Sequence, residues 1–513
     1  MRKPTVLIIR DGWGVNPNPD FNAVAQAQTP NITSYKAKHP WSLLQASGEF
    51  VGLPAGFMGS SEVGHMNIGA GRVVEQELKK INDKLESGVF FQTENWRRAM
   101  RQWQEKNSQL HLLGLLQDEG VHAHQSHLFA LMREVHREFP AGEIVIHPFL
   151  DGRDTPPRSC EQYLTALDKV LEETGAVIGT TMGRYYGMDR GKNWQITDEA
   201  YATIVCAQGK KSENVFELVQ SEYATGKCPD GTEMSDEYIP PYVLGDYAGV
   251  REGDVVIHTN YRQDRALQLT QAFVDPNYAG KLCKKVQVAY FGLTQYYDEF
   301  KNYLLEIPAD EKLHNLFGQI IAEAGLKQLR IAETQKIKHV TSFFNGKATT
   351  PFANEDDVEI PSRFDPATFA EHPEMEAYNV TDKLISLLPD YDFVVVNFAN
   401  CDMVGHTGNL ASAIKAVEIV DECVGKVVTK VLELGGECWV TADHGNADQM
   451  ENYETHKPMT SHTTFPVELI WVSPNAVGQK LSDGKLGDIA PTMLGTMGLT
   501  IPAEMTGKNL LNS

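Results

Sequence analysis

Short runs of β-branched and aromatic residues recur along the chain, each closed by a polar or glycine-containing loop and followed by a stretch with helical spacing of apolar positions. That alternation predicts an α/β protein with parallel sheets, because a parallel strand buried on both faces reads as a short continuous apolar run. Strands are predicted at residues 5–9, 393–397, 438–441 and 467–472, and a helix over 411–434 that stops at Gly435-Gly436. A second set of strands is predicted in the middle of the chain, at 110–116, 144–149, 254–258 and 286–291. A polar helical region at 79–104 and a polar stretch at 302–312 separate the two sets, placing domain crossings near residues 77 and 311. Residues 1–77 and 311–513 then form one discontinuous domain, and 78–310 a second α/β domain inserted into it. Residues 228–241, rich in Gly, Pro and acidic side chains, read as a surface loop.

With 42% hydrophobic residues in 513, the chain can bury a large core. Its 68 acidic against 46 basic residues give a net charge of −22, which argues against nucleic acid or an anionic membrane as partner. Seven scattered cysteines without a C-x-x-C pair suggest neither a disulfide framework nor a cysteine zinc site. A reducing cytoplasm fits that usage. The apolar run at 5–9 is too short for a signal-peptide core, and no run approaches the length of a membrane span.

Ligands in open α/β sheets bind beyond the carboxyl ends of the strands. Asp11 follows the first predicted strand, Asp402 and His406 the second, Asp443 and His444 the third, and His462 precedes the last. Any one of these could be a helix cap or an ordinary surface histidine. Their recurrence at strand ends in Asp/His combinations instead suggests a site for two divalent ions, manganese or zinc. The spacing Asp402-x-x-x-His406 sets both side chains on one face of a helical turn.

Met58-Gly-Ser-Ser-Glu-Val-Gly-His65 is a glycine-flanked serine turn. It reads either as a helix cap or as a nucleophile that a neighbouring metal site activates. It is not a Walker loop, since it lacks Gly-Lys-Ser/Thr.

These motifs, with Asp11-Gly-Trp-Gly14, Thr441-Ala-Asp-His-Gly-Asn446 and Ser461-His-Thr-Thr464, closely resemble the cofactor-independent (2,3-bisphosphoglycerate-independent) phosphoglycerate mutases of the alkaline phosphatase superfamily. The resemblance runs over nearly the whole chain. It implies an alkaline-phosphatase-like parallel-sheet domain carrying an inserted α/β domain. It also implies interconversion of 3-phosphoglycerate and 2-phosphoglycerate through a phosphoserine, by a monomeric, cytoplasmic enzyme. The nucleophile maps to Ser61. One manganese ion maps to Asp402, His406 and His462, and the other to Asp11, Ser61, Asp443 and His444. Substrate residues map to His122, Arg153, Asp154, Arg184, Arg190, Arg262, Arg265 and Lys336, with Asp154 as general acid/base and Lys336 stabilising the transferring phosphoryl group. Closure of one domain on the other is expected to exclude water. Four positions depart from the family pattern: Ser60 replaces a common Asn, Arg10 a common apolar residue, and Ile337-Lys338 an aromatic-small pair. A metal-dependent phosphomonoesterase or another phosphomutase of the superfamily is the alternative reading.

Overall fold

The computed structural model describes residues 2–106, 108–305 and 313–511. The chain divides into two compact units: Met1–Gln76 with Asp310–Ser513, and Glu77–Ala309. The crossing placed near residue 311 lies outside the described residues.

The first unit is built on an eight-stranded sheet in the order Glu355–Ile360, Gln328–Glu333, Phe393–Phe398, Thr5–Arg10, Glu437–Thr441, Val467–Val472, Trp41–Gln45, Gly484–Lys485. The first five strands are mutually parallel. Phe393–Phe398 and Thr5–Arg10 are buried along their whole length, as their unbroken apolar runs require. The helix Leu410–Glu433 buries an apolar stripe from Ala413 to Val431. The sheet is parallel through its first five strands, as expected, and turns antiparallel toward one side, where Val467–Val472 runs against both Glu437–Thr441 and Trp41–Gln45.

The second unit holds another sheet, in the order Ala289–Gly292, Val255–His258, Gln109–Leu116, Glu143–Leu150, Thr180–Gly183, Tyr242–Leu244, Lys210–Ser212. It too is parallel except for Thr180–Gly183 against Tyr242–Leu244. The strand read at 286–291 is Ala289–Gly292, and the helical region at 79–104 is two helices, Glu77–Glu86 and Glu94–Lys106. A turn with Gly88 at φ 71° separates them.

Two expectations fail here. Residues 228–241 are not simply a surface loop: Met234, Asp236 and Ile239 are buried, and the Asp236 carboxylate caps the helix Cys160–Thr174 by accepting from the backbone N–H groups of Ser159 and Cys160, both at 2.8 Å. Cys206 and Cys283 form a disulfide across 77 residues of sequence, although no disulfide was expected from the spacing. Distant pairing of this kind leaves no local signature, since only the fold sets their Cα atoms 6.7 Å apart. Among the described residues no helix is long and apolar enough to cross a membrane.

Candidate metal centre

Parallel strands deliver their following loops to one edge of the sheet. In the first unit that edge carries Asp11 after Thr5–Arg10, Lys336 after Gln328–Glu333, Asp402 in the turn of helix Asn400–Gly405, and Asp443 and His444 after Glu437–Thr441. Gly12, at φ 77°, is required by the crowding here, because a Cβ on it would lie 2.7 Å from the backbone of Asp402.

Two groups of potential ligands result, Asp402/His406/His462 and Asp11/Asp443/His444, and within each group the ligand atoms lie inside 4.8 Å of one another. The first group carries a test of its fitness for a cation. His406 Nδ1 faces the Thr460 carbonyl at 2.6 Å and His462 Nδ1 faces the Gly59 carbonyl at 2.8 Å. A carbonyl only accepts, so both Nδ1 atoms donate, and the two Nε2 lone pairs are left 3.2 Å apart, each 3.1 Å from Asp402 Oδ1. Such convergence of lone pairs and a carboxylate suits a divalent ion. Asn446 donates to the same Asp402 oxygen at 2.9 Å.

The second group is wholly buried. Asp443 Oδ2 accepts no hydrogen bond from the described residues. Burial alone would lower the His444 pKa, but the carboxylates of Asp443, Asp11 and Asp402 raise it to about 10. Burial opposes the charge of Asp11 as well, and the Lys336 ammonium overrides it, holding this carboxyl well below its ordinary range.

Ser61 opens the helix Ser61–Ala70, so its hydroxyl sits at the positive end of the helix dipole. Its Oγ donates to Asp11 Oδ1 at 3.1 Å, lies 3.0 Å from His444 Nε2 and accepts from Lys336 Nζ at 2.6 Å. Ser60 is the N-cap, its side chain accepting from Val63 N–H, so this departure preserves a capping function that Asn also performs. Gly64 lets the helix approach the sheet: a Cβ there would meet the Asp443 carbonyl oxygen at 2.6 Å.

Lys336 Nζ donates to Asp11, at 2.7 Å, and to Asp402, at 2.6 Å, thereby joining the two groups. Burial would lower its pKa, but Asp11, Asp402 and Asp443 raise it above the ordinary lysine value. Arg10 is fully buried, stacks 4.3 Å over Trp13, and bonds to the Thr441 carbonyl at 3.3 Å and to Glu468 at 3.2 Å. It therefore braces the strand that leads into Asp443.

The second unit gathers the other mapped residues. Arg184 is buried and donates to Asp151 and Asp154, both at 2.6 Å. Arg190 donates to Asp264 at 2.6 Å, while Arg262 Nε and His122 Nδ1 lie 3.4 and 3.6 Å from the other Asp264 oxygen. His122 Nε2 lies 4.0 Å from Asp154. Burial and the nearby Arg184 lower His122 to about 4, against the pull of Asp154 and Asp264. Arg265 bonds to the Met188 carbonyl at 3.2 Å, and its pKa is lowered by burial and by the positive field of Arg184, Arg190 and Arg153. The five guanidinium groups thus share one neighbourhood.

Segment 228–241 supports this cluster. Asp236 N–H bonds to the Pro157 carbonyl at 2.8 Å, Glu237 accepts from Arg153 at 3.2 Å, and Gly183 N–H bonds to the Ile239 carbonyl at 2.8 Å. Asp151, Asp264 and Glu237 were missed by sequence reasoning. Asp151 is followed closely by Arg153 and Asp154, and Asp264 stands between Arg262 and Arg265, so alternating Asp with Arg is the signal available for them. Glu237, within the presumed loop, gave none.

An α/β unit whose sheet edge carries two Asp/His ligand groups around a serine in the first turn of a helix defines a metalloenzyme, and the chain belongs to the metalloenzyme superfamily, whose model matches residues 3–501. The 2,3-bisphosphoglycerate-independent phosphoglycerate mutase of Clostridium perfringens is 46% identical over 519 residues, covering 100% of this chain and 99% of its own. That of Moorella thermoacetica is 44% identical over 523 residues, with 100% and 99% covered. A crystal structure of Leishmania mexicana phosphoglycerate mutase, determined at low cobalt concentration, matches with a TM-score of 0.74 at 30% identity and covers 99% of this chain and 97% of its own. The chain belongs to the 2,3-bisphosphoglycerate-independent phosphoglycerate mutases, and it is an enzyme.

Proposed function

We propose that this enzyme interconverts 3-phosphoglycerate and 2-phosphoglycerate in glycolysis and gluconeogenesis, with Ser61 as the phosphoryl acceptor. The observation that carries the reading is the setting of Ser61 Oγ, a buried hydroxyl at a helix N-terminus within 3.1 Å of Lys336, His444 and Asp11.

Two divalent ions, manganese by preference, would be held by Asp402, His406 and His462 and by Asp11, Ser61, Asp443 and His444, and they would supply Lewis-acid stabilisation of oxyanions. Ser61 Oγ, its proton given up to solvent before the cycle and its oxygen recovered as the alkoxide at the end, attacks the phosphorus of 3-phosphoglycerate, and the bond from phosphorus to the C3 oxygen breaks. Lys336 stabilises the negative charge on Ser61 and on the phosphoryl oxygens. Asp154, as general acid/base, passes a proton to the departing C3 oxygen. The glycerate, held by its carboxylate, reorients. Asp154 then takes the proton of the C2 hydroxyl, whose oxygen attacks the phosphoserine, and Ser61 is released. Arg153, Arg184, Arg190, Arg262 and Arg265 bind the carboxylate and phosphate oxygens, which guanidinium forks match in bidentate geometry. His122, neutral near pH 7 by virtue of its lowered pKa, donates or accepts a hydrogen bond without adding charge. The unit formed by 1–77 and 311–513 thus acts as the phosphotransfer domain and 78–310 as the substrate-binding domain of a monomeric, cytoplasmic enzyme.

The test is incubation of the purified protein with Mn2+ and 3-phosphoglycerate in the absence of 2,3-bisphosphoglycerate. Formation of 2-phosphoglycerate, lost in Ser61→Ala, is the expected result. Release of inorganic phosphate with no 2-phosphoglycerate would replace the mutase reading with a phosphomonoesterase.

A further inference from the structure

His65 and Asn397 lie behind the second ligand group, and both are buried. Asn397 Nδ2 is 2.7 Å from Asp11 Oδ2 and 3.1 Å from His65 Nε2. The carboxylate fixes the orientation of the amide, since turning it over would set two oxygens against each other. Its NH2 therefore faces both partners, and His65 Nε2 must accept. On the other side of the ring, His65 Nδ1 is 2.9 Å from the carbonyl oxygen of Ser61, which only accepts, so Nδ1 carries the hydrogen. The same nitrogen is 3.2 Å from Asp443 Oδ2. One unbroken path thus runs from Asp11 through Asn397 and the His65 ring to the backbone of Ser61, with Asp443 along its flank. His339 packs its ring against His65, centroid to centroid 5.6 Å.

We infer that His65 and Asn397 are positioning residues that set the distance between the nucleophile-bearing helix and the two carboxylates of the Asp11/Asp443/His444 group. They touch no reacting atom. Their action is to lock one rotamer of Asp11 and the register of the helix, so that the ligand set is ordered before any ion arrives. Outer hydrogen bonds of this kind are typically worth about 10- to 100-fold in metal affinity. The inference rests on the proposed role of that group as a metal site.

Calorimetric titration with Mn2+ of the intact protein, Asn397→Ala, His65→Phe and His65→Asn tests it. Asn397→Ala and His65→Phe are expected to lose about 10- to 100-fold affinity for one of two ions while the other is bound as in the parent. His65→Asn, which can still donate to the Ser61 carbonyl, is expected to recover part of the loss. Wild-type affinities for both ions in Asn397→Ala and His65→Phe would overturn the inference. A second measurement needs no substitution: 15N spectra of histidine-labelled protein should show His65 as the Nδ1–H tautomer, and an Nε2–H signal would overturn it too. A parent protein that binds two ions yet makes no 2-phosphoglycerate would defeat the proposed function and leave these outcomes readable.

Discussion

Replacing Lys336 by Met keeps most of the side-chain volume and removes the ammonium group that joins Asp11, Asp402 and Ser61. The side chains of Asp11 and Asp402 are 0% and 3% exposed, so water cannot take over from the lost partner. Removing one member of a buried ion pair costs about 3–5 kcal/mol, because the remaining charge is left uncompensated. A unit of this size loses about 2 °C of melting temperature per kcal/mol, so the variant should melt about 6–10 °C lower in the presence of a chelator. Excess Mn2+ at about 100 times its Kd should add about 2.7 kcal/mol to the parent. It should add more to the variant, whose carboxylates no longer compete for an ammonium, so the gap narrows on metal addition while turnover stays lost. Differential scanning calorimetry with and without chelator measures both effects. A variant that melts within about a degree of the parent in chelator would refute the assignment of Lys336 as the counter-charge of this site.

Two further outcomes follow from the second unit. His258 is fully buried, bonded through Nδ1 to the Tyr290 hydroxyl at 3.0 Å, and burial lowers its pKa to about 3. The unfolded chain therefore binds a proton near pH 6.5 that the folded chain refuses, so stability is intact above that pH and falls as pH drops toward 3. The contribution of His258 to the slope is about 1.4 kcal/mol per pH unit, added to that of the other histidines lowered by burial, such as His111, His127 and His147. Urea melts at pH 7, 6 and 5 should show it, and His258→Asn should remove about one proton from the slope; an unchanged slope would count against the burial argument. Reduction of the Cys206–Cys283 bridge, or Cys206→Ser, should lower stability by about 2–4 kcal/mol, because it releases a long loop in the unfolded chain. Thermal melts with and without dithiothreitol check this.

The convergence of the two potential ligand groups was legible in the sequence because chemistry and position coincide there: Asp402/His406 and Asp443/His444 each follow an apolar run that reads as a buried strand. Lys336 was legible only through family resemblance. Its strand, Gln328–Glu333, interrupts the apolar pattern with Arg330, which is buried all the same by stacking on Phe344 and Phe393 and pairing with Glu355. Trp41–Gln45 was overlooked for the opposite reason, since it alternates exposed and buried positions near the sheet edge. The 228–241 segment has the composition of a loop and the burial of a brace, because Met234 and Ile239 are separated by charged residues that find partners inside. Asn397 and His65 have no local signal at all; their meaning depends on two segments meeting.

The order of the first sheet also governs how the molecule is made. Thr5–Arg10 is synthesised well before its two neighbours in the sheet, Phe393–Phe398 and Glu437–Thr441. The strand must therefore wait on the ribosome with both edges unpaired while the whole of 77–309, a contiguous unit with its own sheet, emerges and folds. The last of the gathered ligands, His462, follows later still. A nascent chain stalled between the end of the second unit and His462 contains a finished second unit and an incomplete set of the proposed ligands, so the proposed phosphotransfer activity is not expected of it.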